Sequence, residues 1–134
     1  MARYCVAYLV AAVVFLGCDA IYLRFAGAPM YRLALGDQLA DPMRAGPGIL
    51  FYVIFIAGLV FFAVAPAFAA GGWITACLRG AALGFVAYAT YELTNYATLA
   101  RWTPHLVVVD IVWGTMLSGV ASALSYLLAV RWMR

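Results

Sequence analysis

The stretch GILFYVIFIAGLVFFAVAPAF, from Gly48 to Phe68, decides the fold. It carries no charged side chain. A hydrocarbon core of roughly 30 Å is crossed by about 20 helical residues, so this run is long enough to span a bilayer. A barrel strand would alternate polar and apolar residues, and this run does not. Three further segments read the same way: Tyr4–Phe25, Ile74–Leu99 and Pro104–Met133. Of 134 residues, 69% are hydrophobic and 10% charged, with a mean hydropathy of +1.03. A soluble chain of this size needs a polar surface that so few charges cannot make. The expected fold is therefore all-α, a polytopic membrane protein in which residues 1–134 form one four-transmembrane-helix bundle.

The links are uneven. One longer polar loop, Ala26–Pro47, joins helices 1 and 2 and contains Pro29, Gly36, Pro42 and Pro47. Its middle, Met30–Leu39, is expected to form a short interfacial helix with Tyr31, Leu35 and Leu39 toward lipid. The other links, Ala69–Trp73 and Ala100–Thr103, are tight, and Pro104 suits the first position of a helix. At the N-terminus, Arg3, an apolar run and Phe15-Leu16-Gly17-Cys18 resemble a lipoprotein signal with Cys18 as the lipidated residue. Phe15 fits that signal poorly, and no basic residue beyond Arg3 precedes the run, so a first span is preferred. Four spans put both termini on one face with Arg3, Arg79, Arg131 and Arg134. Arg24, Arg32, Arg44 and Arg101 lie on the other, beside Asp37 and Asp41. Basic residues tie under the positive-inside rule; the free amino terminus favours termini in the cytoplasm.

Against this apolar background stand three carboxylates, Asp19, Glu92 and Asp110. An acid inside a span costs a few kcal/mol and usually faces a bundle interior. Counted from the expected span ends, each sits about 10 Å below the same face at 1.5 Å per residue. Span three carries Tyr88, Tyr91, Glu92 and Asn95 at helical spacing, a single polar stripe. Thr94 and Thr98 on the neighbouring stripe can bond back to carbonyls one turn earlier. Such a stripe needs partners, because an unpaired polar group in lipid costs several kcal/mol. Trp113 lies on the Asp110 side of span four and Tyr22 one turn from Asp19, with Arg24 and Arg101 as candidate counter-ions. The candidate ligand-binding residues are therefore Asp19, Tyr22, Tyr88, Tyr91, Glu92, Asn95, Asp110 and Trp113. A purely structural reading, in which the acids only tie helices together, competes with it.

The remaining polar and small residues read as packing. Gly80 and Gly84 in span three, and Gly114, Ser118 and Ser122 in span four, allow close helix approach. Tyr4, Tyr8, Trp73, Trp102 and Trp132 read as an interfacial aromatic belt. Cys5, Cys18 and Cys77 form no Cys-x-x-Cys pair, and buried packing is the better reading. Cys5 and Cys77 fall near the same face. The lone His105, beside Pro104, reads as an interfacial residue before a metal ligand. No nucleophile elbow, phosphate loop or zinc-protease motif is present. No cofactor or metal is indicated, and the eight arginines, split between two faces, give no support to nucleic-acid binding.

Five segments in order carry a family likeness: Cys-Asp-Ala-Ile-Tyr-Leu (18–23), Leu-Gly-Asp (35–37), Phe-Tyr-Val-Ile-Phe-Ile-Ala-Gly (51–58), Gly-Phe-Val-Ala-Tyr-Ala-Thr-Tyr-Glu-Leu-Thr-Asn-Tyr-Ala-Thr-Leu (84–99) and Val-Asp-Ile-Val-Trp-Gly (109–114). Over nearly its whole length the chain resembles a family of short, predicted four-helix bacterial membrane proteins carried as a domain of unknown function. Where that family's third-span motif has Asp, this chain has Glu92, which keeps the charge on a longer arm. The resemblance implies a small bacterial inner-membrane protein and no settled activity. Three functional classes stay open. In the first the acids take a small cationic or lipid-like ligand or couple to protons, and a homodimer is expected. In the second, Glu92 or Asp110 is the general acid of a lipid- or isoprenoid-modifying enzyme. In the third the chain is an accessory or assembly subunit among other membrane subunits.

Overall fold

The computed structural model describes residues 1–133, with Ala70 described in its backbone only, so Arg134 of the terminal face lies outside the described residues. Four helices are long and apolar enough to cross a membrane: α1 (Ala2–Gln38), α2 (Ala45–Ala69), α3 (Gly72–Thr98) and α4 (Pro104–Trp132). No strand occurs among the described residues. Helices are the expected solution, since they satisfy every backbone polar group within one segment.

Helices α3 and α4 pack most extensively. Their glycines permit it: a Cβ on Gly80 would stand 2.6 Å from the Ser118 carbonyl oxygen, and one on Gly84 2.5 Å from that of Gly114. The Ser118 and Ser122 hydroxyls have no hydrogen-bond partner among the described residues and lie against Gly84 and Gly80, so they serve as small packing groups. Ala7, Ala11 and Phe15 of α1 meet Leu117 and Ala121 of α4, and Phe55, Ile56 and Leu59 of α2 complete this core.

The structure corrects part of the first connection. Of Ala26–Pro47 only residues 39–44 are irregular; Met30–Leu39 is helical nearly throughout, as expected, but not as a separate element, because helical backbone runs on through Leu23–Gly27 and Ala28–Leu35 to a 3₁₀ turn at Gly36–Gln38. The separate interfacial helix is thus the upper end of α1. Tyr31, Leu35 and Leu39 do not face lipid either. Leu35 is buried against Trp102, Leu106 and Val107, with Tyr31 and Leu39 packed on the same cluster. The α-helical part ends at Gly36, whose φ of +55° lies in the left-handed region that favours glycine.

Two π-helical turns interrupt the regular backbone, Leu23–Gly27 in α1 and Val60–Val64 in α2. Each is followed two residues later by a proline, Pro29 and Pro66. A proline lacks an N–H and its ring presses on the carbonyl four residues back. Those carbonyls belong to Phe25 and Phe62, inside the π turns, where the wider spacing relieves the clash.

Candidate functional site

The π turn of α1 decides which aromatic side chains reach the acids. Tyr22 and Tyr31 are nine residues apart, which in a regular α-helix sets them about 180° apart on opposite faces. A turn that absorbs one extra residue leaves them about 80° apart, on one side. Both phenols then donate to the same carboxylate: Tyr22 to Asp110 Oδ1 and Tyr31 to Asp110 Oδ2.

Around this junction the three acids are buried, Asp19 and Asp110 at 5% exposure and Glu92 at 0%. Glu92, on α3, accepts from the Trp102 indole at Oε2, 2.7 Å, and its Oε1 lies 3.1 Å from the Tyr31 hydroxyl. Tyr31 therefore touches Glu92 and Asp110 together. Asp19, on α1, accepts from the Trp113 indole at 2.9 Å and from the Tyr52 hydroxyl at 2.5 Å. The two groups join through aromatic stacking, with Tyr22 lying 4.5 Å from Trp113 at an interplanar angle of 12°. Tyr31 and Trp102 also meet, edge to face at 5.6 Å. Each helix and the α3–α4 link supplies at least one member of this network.

Among the described residues no cation takes part in it. Arg101 pairs with Asp37 at 3.1 Å on the surface, and the Arg24 guanidinium lies 5.8 Å from the Phe25 ring centroid. The expectation that these arginines serve as counter-ions to the acids is thus overturned. Every partner of Asp19, Glu92 and Asp110 among the described residues is a neutral phenol or indole.

Within the polar stripe of α3 the structure separates the residues. Glu92 turns inward, whereas Tyr91 is 53% exposed and meets Trp102 edge-on at 5.8 Å. Tyr88 is half-buried and pressed on Gly114, where a Cβ would fall against its ring. Asn95 makes no hydrogen bond to any of the three acids among the described residues. Thr94 and Thr98 bond back to the carbonyls of Thr90 and Thr94, as helical spacing predicts.

Three members of the network escaped the sequence reading: Tyr31, Tyr52 and Trp102. Trp102 is not part of an interfacial belt, being 5% exposed and bonded to Glu92. Tyr52 carried a signal, as the one polar side chain in a wholly apolar span. Tyr31 had only the indirect signal of Pro29, which marks the π turn. Among the cysteines, all unpaired, Cys5 is exposed and so does not pack inside the protein. His105 is exposed, and no three His, Cys, Asp or Glu side chains cluster to hold a metal among the described residues.

Surface grooves lie away from the acids. An apolar one of about 690 Å³ runs between α1 and α2 along Tyr4, Tyr8, Val60 and Phe61. Another of about 690 Å³ follows Tyr126 to Arg131 near the end of α4.

With this architecture in place, comparison with curated proteins and with solved structures gives no match. The family model described as predicted membrane protein (DUF2177) matches residues 4–127, which takes in most of each span and every residue of the acidic network. This multi-pass membrane protein belongs to the DUF2177 family.

Proposed function

We propose that the acidic and aromatic network binds a small cationic ligand within the membrane. The observation that carries this reading is the charge balance: three buried carboxyl groups bonded only to neutral donors, with both neighbouring arginines engaged elsewhere. Anionic groups in hydrocarbon are costly when they lack a counter-charge, and a bound cation supplies one. The stacked Tyr22–Trp113 pair and the Tyr31–Trp102 pair add ring faces, which attract organic cations when desolvated. Asp19, Glu92 and Asp110 would supply charge, with Tyr22, Tyr88, Tyr91, Asn95 and Trp113 around them. In this reading the protein sits in the bacterial inner membrane with cytoplasmic termini, and a homodimer encloses the path.

The test is titration of the detergent-purified protein with tetraphenylphosphonium, followed by quenching of tryptophan fluorescence. Saturable binding that weakens at least tenfold in Glu92→Gln supports the reading. Absence of saturable binding, or equal affinity in the variant, overturns it.

A further inference from the structure

The hydrogen bonds around Glu92 and Asp110 do not balance. Four oxygen contacts surround this pair: Trp102 to Glu92 Oε2, Tyr31 to Glu92 Oε1, Tyr31 to Asp110 Oδ2 and Tyr22 to Asp110 Oδ1. The donors hold three hydrogens, one on the indole and one on each phenol. Tyr31 cannot give its single hydrogen to both acids. With both carboxylates ionised, one buried oxygen–oxygen contact would hold no hydrogen, a repulsive arrangement between groups that have lost their water.

Asp19 offers the control within the same molecule. It has two contacts, from Trp113 and Tyr52, and two hydrogens to fill them. That carboxylate is saturated as an anion.

We propose that Glu92 and Asp110 together bind one proton, shared across the Tyr31 hydroxyl, and that Asp19 binds none. The proton resides on Glu92 Oε1 or Asp110 Oδ2: the indole can only donate and so keeps Glu92 Oε2 as an acceptor, and a proton on Asp110 Oδ1 would displace the Tyr22 hydrogen and leave one Tyr31 contact empty. When it sits on Glu92, that acid donates to the Tyr31 oxygen and Tyr31 donates to Asp110. When it sits on Asp110, both bonds reverse. The structure thus assigns a proton-binding unit with two equivalent directions, drawn from α1, α3 and α4 at once.

The surroundings contain no group that would displace this proton. From α1 the pair meets Tyr22 and Tyr31, with Asp19 beyond the Tyr22–Trp113 stack and Arg24 turned to Phe25. From α2 comes Tyr52, held by Asp19. The α3 side adds Tyr91, edge-on to Trp102, and the link adds Arg101, paired with Asp37. On α4, His105 is exposed. Among the described residues no cationic side chain reaches either carboxyl. The proton site stands on hydrogen counting alone and does not depend on whether an organic cation binds.

Infrared spectroscopy of the whole protein in lipid nanodiscs tests the proposal. A carboxylic acid shows a carbonyl stretch that a carboxylate lacks. Glu92→Gln and Asp110→Asn each place an amide N–H against the Tyr31 oxygen and so supply the fourth hydrogen without a proton. The expected result at neutral pH is an acid band in the wild type that disappears in both variants and persists in Asp19→Asn. Tyr31→Phe, which removes the shared hydroxyl, should shift the band. Either variant of the pair that remains folded by circular dichroism suffices for the comparison. Absence of the band from the wild type overturns the proposal, as does its survival in Glu92→Gln or its loss in Asp19→Asn.

Discussion

Asp19 and the Glu92–Asp110 pair lie in one buried network, yet they solve the problem of an acid in a membrane differently. Asp19 has as many donor hydrogens as contacts, from one indole and one phenol, and so calls for no proton. The pair has four contacts and three donor hydrogens, because Tyr31 serves both acids. Burial alone therefore does not mark the chemically active acid, since all three are at most 5% exposed. The balance of hydrogens does. By this count Asp19 ties α1, α2 and α4 as an anion, and the pair is the part that holds a proton.

Substitutions can break this contrast. The largest effect should come from Asp19→Asn, whose amide oxygen still accepts from Trp113 but whose N–H takes the Tyr52 oxygen and leaves the phenol hydrogen without its acceptor. Hydrogen bonds to a charged group contribute about 1.5–3 kcal/mol each, so a loss of about 3 kcal/mol is expected in detergent unfolding. Trp102→Phe keeps the ring against Tyr31 but removes the N–H on Glu92 Oε2, and should cost about 2 kcal/mol by the same measurement. Glu92→Gln should cost less than about 1 kcal/mol, because its amide completes the hydrogen count while keeping every contact. A Glu92→Gln penalty as large as that of Asp19→Asn would remove the distinction between the two groups. Smallest is Arg101→Ala, which breaks the exposed pair with Asp37 and should change stability by less than about 0.5 kcal/mol.

Much of the architecture was legible because long apolar runs have one solution in a bilayer. The small-residue faces of spans three and four likewise predicted the close approach that Gly80, Gly84 and Gly114 allow. The upper end of α1 was not legible, for a definite reason. Pro29, Gly36 and a scatter of charges read as a loop, but Pro29 follows a π turn that accommodates its ring, and the helix continues. The same turn changes the phase of every later residue. Regular 3.6-residue periodicity sets Tyr31 opposite Tyr22, so no pattern on one face could bring it to the acids. Trp102 was missed because a tryptophan near a span end has the composition of a lipid anchor, and only the chain's return into α4 turns it inward. The acids themselves were evident from cost, and their partners required the fold.

Glutamate occurs once in the chain, so labelling glutamate with ¹³C at its carboxyl carbon reports on Glu92 alone. The measurement that tests the shared proton most directly is solid-state NMR of that carbon in lipid bilayers at neutral pH. The account predicts a signal displaced from the carboxylate position toward the acid, moving to the carboxylate position in Asp110→Asn and unmoved in Asp19→Asn. A plain carboxylate signal in the wild type, indifferent to Asp110→Asn, would contradict it.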